Sequence, residues 1–313
     1  MGLSFKKALL LSAIESVPGT PETLVAGDGA MVIRNPQYSQ NNNNIQRDFI
    51  SPDHGTLASI PGSISGQITF DTELKGGASL GVAPQVGKIL KMCAFAETLN
   101  PPTNTTYALQ GSTFVHGTIA FDLQDDAGGN GPRYSLKGAQ GNMVFSAEVG
   151  AFMNLGVTMT GAYITPTDLA ALSPTFETKA PPVFRNGTFT IGGTALKVRS
   201  FSIDLQNQII LTPDINEQSG FALARYGSRT PQITFEAELV NIATHDFTGL
   251  IEAGTESALV LESEVIANNT VRLDATKLQY TNFAISNVDN IPVASITGQL
   301  NRGGTNELLI TLS

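Results

Sequence analysis

Apolar and polar residues alternate with a period of two along most of the chain, in short runs separated by Gly, Asn or Pro. Such alternation predicts β-strands with one buried face and one exposed face. A mostly β fold is therefore expected. The clearest runs are Gly29–Arg34, Thr118–Leu123, Gly187–Ile191, Leu196–Leu205 and Leu308–Leu312.

One strand pattern occurs twice. Gln67–Leu74 reads QITFDTEL and Gln232–Leu239 reads QITFEAEL, with six of eight letters shared at a spacing of 165 residues. Further downstream, Thr160–Gly161 and Thr297–Gly298 match at a spacing of 137, which predicts 28 extra residues in the first copy. These repeats favour a duplicated building block over accidental similarity.

Helical spacing is confined to two segments. Pro84–Leu99 has apolar residues at i, i+3, i+4 and i+7 after a proline suited to the first helical position, and His245–Ala253 is shorter. Each segment follows its copy of the repeated strand. We therefore predict two tandem modules with one short helix each, residues 1–178 with an N-terminal strand or arm and residues 179–313.

Composition excludes several classes of protein. The 313 residues are only 14% charged and have a net charge of -9, and 18 Lys and Arg give no basic face for tight binding to nucleic acid. The single cysteine, Cys93, permits no intrachain disulfide and favours a reducing compartment. No run approaches the ~18 apolar residues of a membrane span, so a soluble protein is expected.

Candidate catalytic patterns are weak. Gly77–Gly81 (GASLG) fits the G-x-S-x-G pattern of an esterase, but that nucleophile turn needs a sheet fed by many crossover helices. The three histidines, His54, His116 and His245, have no metal-binding spacing, so neither a metal nor another cofactor is expected. We predict that the protein is not an enzyme, and a GASLG-type esterase remains the less favoured alternative.

The repeated strand has two different faces. In QITFDTEL, Ile68 and Phe70 lie on one side, and Asp71 and Glu73 lie on the other. The second copy agrees, because Glu236 and Glu238 occupy the matching positions. A carboxylate pair of this kind could suggest a glycosidase, but solvated strand faces explain it first. Arranged in a ring, such sheets could turn their acidic faces toward a shared channel.

Several stretches of the chain resemble the major tail tube proteins of long-tailed, non-contractile bacteriophages. The similarity begins with KKALLLSAIESVPGTPETL and NPQYSQNNNNIQRDFISPDHG, and it continues through ITFDTELKGGASLGVAPQVGKILKMCAFAET and RYSLKGAQGNMVFSAEVG. PQITFEAEL and the closing NELLITL extend it over nearly the whole chain. The resemblance implies tandem tail-tube-type β-sandwich or barrel modules.

The resemblance also implies a structural virion protein, assembled in the host bacterial cytoplasm, whose stacked rings form the tail tube. Two modules per chain favour a trimeric ring, with a hexamer as the alternative. The implied partners are other copies of the chain, the tape-measure protein, tail-tip or terminator proteins, and double-stranded DNA that passes without sequence-specific binding. No membrane partner is expected. A β-rich adhesin or receptor-binding module remains the alternative function.

Two groups of residues are the candidate sites under this interpretation. The first would line the channel, with outer solvent or a neighbouring ring as the alternative for that face: Asp71, Glu73, Glu236 and Glu238. The second lies in the polar segments 51–66 and 212–231, which would contact the adjacent ring unless they are ordinary mobile loops: Ser51, Asp53, His54, Asp214 and Asn216.

Overall fold

The computed structural model describes residues 2–50, 55–125, 129–304 and 306–313. Within these ranges, sixteen strands form one antiparallel sheet that folds over a common core, and two more form a separate hairpin. The prediction of a mostly β protein with two short helices is confirmed. Within the described residues, neither helix is long and apolar enough to cross a membrane.

The first half of the chain is defined here as β1 to β8. Several of its strands, such as the one at Asn104–Leu109, alternate buried and less buried residues as the sequence pattern predicts. The elements are β1 (Leu3–Ile14), a 3-10 turn (Ala26–Gly29), β2 (Ile33–Ile45), β3 (Ile60–Glu73), α1 (Gly87–Met92), β4 (Phe95–Asn100), β5 (Asn104–Leu109), β6 (Gly117–Asp125), β7 (Gly131–Glu148) and β8 (Asn154–Leu169).

The second half runs from β9 to β18. The predicted module boundary after residue 178 falls between β8 and β9, and it remains a prediction. The elements are β9 (Thr188–Ile191), β10 (Thr194–Ala195), β11 (Val198–Asp204), β12 (Ile209–Pro213), β13 (Phe221–Tyr226), β14 (Gln232–Glu238), α2 (Phe247–Glu252), β15 (Glu256–Glu262), β16 (Val271–Val288), β17 (Ile291–Leu300) and β18 (Leu309–Leu312).

Eight strands of the sheet repeat one arrangement twice. Their order is β2-β3-β8-β7 in the first half and β11-β14-β17-β16 in the second. The two sets join where β7 pairs with β11, and we call this pairing the internal junction. The repeated strands β3 and β14 occupy the same position in each set. The duplication seen in the sequence is therefore a duplication of sheet topology.

The pairing register corrects one part of the repeat. Thr69 of β3 pairs with Thr158, and Thr234, its counterpart 165 residues later, pairs with Thr297. Thr158 is thus the structural equivalent of Thr297, a spacing of 139 and not 137. The sequence predicted that Thr160 corresponds to Thr297, and this prediction is wrong by two residues. The first half therefore contains 26 extra residues (165 less 139).

Long strands connect the two layers of the fold. The N-terminal part of β7 pairs with β6, which pairs with β1, while its C-terminal part pairs with β11. In the same way β16 pairs with β15 near its start, and β15 pairs with β9. Between the layers lies one continuous apolar core in which Ile68, Phe70 and Phe235 are buried. Burial of such side chains contributes about 1.5–3 kcal/mol each.

The first predicted helix is shorter than expected. α1 ends at Met92, and Ala94 has a φ of 72°, a left-handed conformation that ends the helix. Phe95–Asn100 then forms β4, so the prediction of helix through Leu99 is wrong. The predicted strand at Gly29 is also wrong, because the 3-10 turn extends to that residue and β2 begins at Ile33. α2 lies within the predicted segment.

Two hairpins cross from one half to the other. β5 of the β4–β5 hairpin pairs with β18, the last strand of the chain. The β12–β13 hairpin packs in return on β7 and β8. Lys137 Nζ lies 2.5 Å from Glu217 Oε2, and the Ile64 N–H donates to the Ser219 carbonyl at 2.8 Å. Each half therefore holds the other in place.

Candidate functional site

The eight repeated strands share one face without an apolar covering, which we call the polar face. On this side lie residues such as Thr69 and Asp71, while the intervening Ile68 and Phe70 point into the core. Adjacent strands continue the same alternation, because directly paired residues lie on the same side of a sheet. A cleft of 490 Å³ opens on this face across the internal junction, between Arg34 and Glu236.

One row of the polar face repeats almost residue for residue. One row across the first half contains an amide, two threonines and an asparagine, and the matching row in the second half differs only at its first position. These side chains are hydrogen-bonding and uncharged. The rows are Gln37, Thr69, Thr158 and Asn142 in the first half, and Ser202, Thr234, Thr297 and Asn282 in the second.

Asp71 and Glu236 occupy equivalent positions in the next row. Asp71 pairs with Gly156 and Glu236 pairs with Ser295. The Asn35 amide donates to Asp71 Oδ2 at 2.9 Å. Glu236 forms no ion pair with another described residue. Asp71 likewise forms no ion pair with another described residue, although Arg34 lies directly opposite it on β2.

Glu73 and Glu238 are also equivalent, but lysines neutralise both. Lys75 Nζ lies 2.7 Å from Glu73 Oε1, and Lys197 Nζ lies 2.9 Å from Glu238 Oε2. The sequence pattern thus predicted four acids on one face, yet these two add little net charge to it.

Two further acids on this face were missed. Asp204 of β11 pairs with Gln232, and it accepts hydrogen bonds from Asn142 at 2.8 Å and from the Gln206 N–H at 2.9 Å. Glu148 ends β7 and pairs with Ser200. The alternation of Ser200, Ser202 and Asp204 within Leu196–Leu205 was a signal that could have identified Asp204.

The polar face ends at two open edges. β2 pairs only with β3, and the last part of β16, residues 281–288, pairs only with β17 among the described residues. In β2, Asn35 has a φ of 49° and lies with Pro36 in a bulge. Proline has no N–H to donate, so it suits an edge strand. Tyr38, on the core side of β2, packs on Tyr134 with ring centroids 4.8 Å apart.

The predicted ring-contact residues fall in two places. Ser51, Asp53 and His54 lie outside the described residues. Asp214 and Asn216 lie in the turn of the β12–β13 hairpin, where Asp214 Oδ1 accepts from the Asn216 N–H at 2.9 Å. Segments 51–66 and 212–231 are not simple loops, because β3 begins at Ile60 and β13 covers Phe221–Tyr226.

Other candidate chemistry has an ordinary structural setting. Ser79 lies in a turn between β3 and α1, where its carbonyl accepts from the Val82 N–H at 3.2 Å. His116 Nε2 lies 2.9 Å from the Ala224 carbonyl, and burial is the main cause that lowers its pKa. Burial also lowers the pKa of His245, which contacts Tyr280. No cluster of metal-binding side chains occurs in the part of the chain that is described.

Together, the duplicated topology and the two-layer packing define an antiparallel protein of the β-sandwich class. The family model described as phage tail tube protein matches residues 6–300, so the chain belongs to the phage tail tube protein family. It is accordingly a structural protein of the virion tail. No curated protein matches the chain.

Proposed function

We propose that this chain polymerises as stacked rings and that its polar face lines the channel through which the phage genome leaves. The observation that carries the proposal is the eight-strand polar face, which repeats between the halves and ends in two open edges. A sheet face without a covering layer must meet either solvent or a partner. Threonine, asparagine and serine rows suit a water-filled channel.

The open edges support assembly into rings. Exposed strand edges present unpaired N–H and C=O groups that favour pairing with another strand. A second copy of the chain offers the complementary edge on each side. Edge-to-edge pairing would continue the sheet from chain to chain, and the ring closes when the last chain meets the first.

The strand count favours three chains in each ring. Three chains would place 24 strands around the channel, and strands ~4.8 Å apart tilted by ~40° give a barrel of roughly 48 Å diameter. Six chains would give roughly 96 Å by the same geometry. The smaller barrel leaves space for a DNA duplex or the tape-measure protein after its inner side chains are subtracted.

Charge on the polar face would help DNA to slide. Asp71, Glu148 and Glu236 repel phosphate, whereas a basic lining would release counterions and hold the duplex in place. The uncharged rows add no base-specific contact. We therefore infer passage without sequence recognition.

Stacking of rings would involve the ends of the sheet. Asp214 and Asn216 in the β12–β13 turn are candidates for contacts with the adjacent ring, as are Ser51, Asp53 and His54. Tail-tip or terminator proteins would cover the last ring at each end of the tube by similar contacts.

Electron microscopy of the purified protein tests the assembly. We expect rings or hollow filaments with a central channel, and native mass spectrometry of isolated rings should give three chains. Discrete solid particles would contradict the proposal and favour an adhesin. The wild type and a Ser79→Ala variant should also be assayed against simple esters. The esterase alternative is excluded if neither protein is active.

A charge-reversal variant tests whether Glu236 lines the channel. Tubes of Glu236→Lys should bind a short fluorescent DNA duplex in a salt-dependent manner, because added lysines contact phosphate. The matched control is Glu252→Lys, which makes the same charge change on α2, away from the polar face. Equal binding by both variants would contradict the placement of Glu236 in the channel.

A further inference from the structure

The internal junction provides a template for the contact between chains. There the C-terminal part of β7 pairs with β11, with Phe145 opposite Ile203 and Ser146 opposite Ser202. The Leu205 N–H donates to the Met143 carbonyl at 3.2 Å, two residues beyond the Phe145–Ile203 pair. The counterparts of the two strands, β16 and β2, form the open edges.

The sheet register fixes which residues correspond. Asn142 and Asn282 pair with the equivalent threonines Thr158 and Thr297, which aligns β7 with β16. Gln37 and Ser202 pair with Thr69 and Thr234, which aligns β2 with β11. Ser146 therefore corresponds to Ser286, and Phe145 corresponds to Ile285.

We propose that β16 of one chain pairs antiparallel with β2 of the next chain, in the register of the internal junction. Ser286 then lies opposite Gln37 of the neighbouring chain, and Ile285 lies opposite its Tyr38. Ala284 lies opposite Ser39 of the neighbouring chain. This register rests on the proposed ring and specifies its contacts.

Burial at the two sites supports the same register. Phe145 and Ile203 are each 0% exposed at the internal junction, whereas Ile285 is 60% exposed on the open edge. Ile285 points to the core side of the sheet, where a paired β2 would place Tyr38 beside it. An exposed isoleucine on an unpaired strand edge is thus explained by a second copy of this chain.

Exposed residues on the polar side of the two edges suit a cross-linking test. The Leu205–Met143 hydrogen bond makes Asp204–Val144 and Ser202–Ser146 the closely spaced, non-hydrogen-bonded pairs of the template. Ser39–Ala284 and Gln37–Ser286 are their equivalents between chains. All four residues are exposed in the single chain. The native Cys93 is fully buried and remains unreactive.

The experiment uses four double-cysteine variants of the full chain, oxidised after assembly. The matched pairs are Ser39→Cys with Ala284→Cys and Gln37→Cys with Ser286→Cys. The controls exchange the partners, Ser39→Cys with Ser286→Cys and Gln37→Cys with Ala284→Cys. Because diagonal neighbours lie ~7–8 Å apart, beyond disulfide reach, matched pairs should link chains about tenfold more than exchanged pairs.

Microscopy of the same samples separates the two proposals. The register is supported if rings form and the matched cysteine pairs link neighbouring chains, with a ladder of cross-linked species that ends at three chains. Rings in which the exchanged pairs link better, or no pair links, overturn the register and leave the ring intact. Absence of both rings and linkage overturns the proposed function together with the register.

Discussion

The internal junction and the open edges are built from equivalent strands, yet only one of them is closed. At the internal junction Phe145 and Ile203 are fully buried, and at the open edge the equivalent Ile285 is 60% exposed. The duplicated sheet therefore satisfies one contact within the chain and leaves an equivalent contact for a neighbour. The folded chain thus already contains a copy of the contact proposed for its assembly.

The internal junction is also reinforced by contacts that an edge between chains need not have. β5 pairs with β18 across the halves, and Arg229 Nη2 lies 2.7 Å from Glu307 Oε2 beside this pairing. Tyr226 donates from its hydroxyl to the Met92 carbonyl. We expect the internal junction to open only when the chain unfolds.

The largest effect is expected from Ile285→Asp. A carboxylate without a partner in a dry junction costs about 3–5 kcal/mol, so assembly should require at least a hundredfold higher protein concentration. Analytical ultracentrifugation across a concentration series measures the change.

The matched control for that variant is Val265→Asp, because Val265 is 73% exposed in the loop between β15 and β16. It should assemble like the wild type. Equal loss of assembly in both variants would show that added charge, and not the open edge, is responsible.

Truncation of the equivalent buried residue should act on folding. Phe145→Ala removes a fully buried ring that packs against Phe95, and we expect a loss of about 3–5 kcal/mol in the free energy of unfolding. Ile285→Ala should change the stability of the single chain by no more than about 0.5 kcal/mol. Urea unfolding of unassembled protein compares the two, and similar losses would contradict the contrast between the junctions.

A smaller effect is expected at the first hairpin. The buried Tyr107 hydroxyl donates to Glu97 Oε2 at 2.7 Å, and Lys91 Nζ lies 3.0 Å from Glu97 Oε1. Tyr107→Phe should cost about 1–2 kcal/mol, because one carboxylate oxygen loses its partner. Urea unfolding measures this loss, and an unchanged midpoint would show that the hydrogen bond adds nothing to stability.

The smallest effect is expected from pH. Burial lowers the pKa of His116 below its ordinary value of 6.5, so the folded chain takes up this proton at a lower pH than the unfolded chain. Its contribution to stability is therefore complete above pH 6.5 and decreases as the pH falls through the lowered pKa. The urea midpoint should fall between pH 7.5 and pH 5.5, and less so in His116→Gln. Identical pH profiles would contradict the assignment.

The two-faced strands could be predicted from the sequence because each alternating run is local, and the repeat could be predicted because its two copies share six of eight letters. QITFDTEL alternates strictly, and comparison with its copy is enough to align Asp71 with Glu236. Helix α2 was also predictable from its apolar spacing. Each alternating run and each helical segment depends on residues within about ten positions of one another.

Other features depend on distant pairing. Residues 95–109 contain a polar run around Asn100–Asn104, and the hairpin that they form joins the main sheet because β18, about 200 residues later, pairs with β5. The neutralisation of Glu238 depends on Lys197, 41 residues earlier in the chain. The two-residue error in the downstream repeat arose because a short match such as Thr-Gly does not determine register.

Cryo-electron microscopy of the assembled protein tests the central claim most directly. We predict a ring of three chains whose 24 inner strands turn Thr69 and Thr234 toward the channel, with β16 of each chain beside β2 of the next. A ring whose polar face points outward, or whose channel is lined by other strands, would contradict this claim.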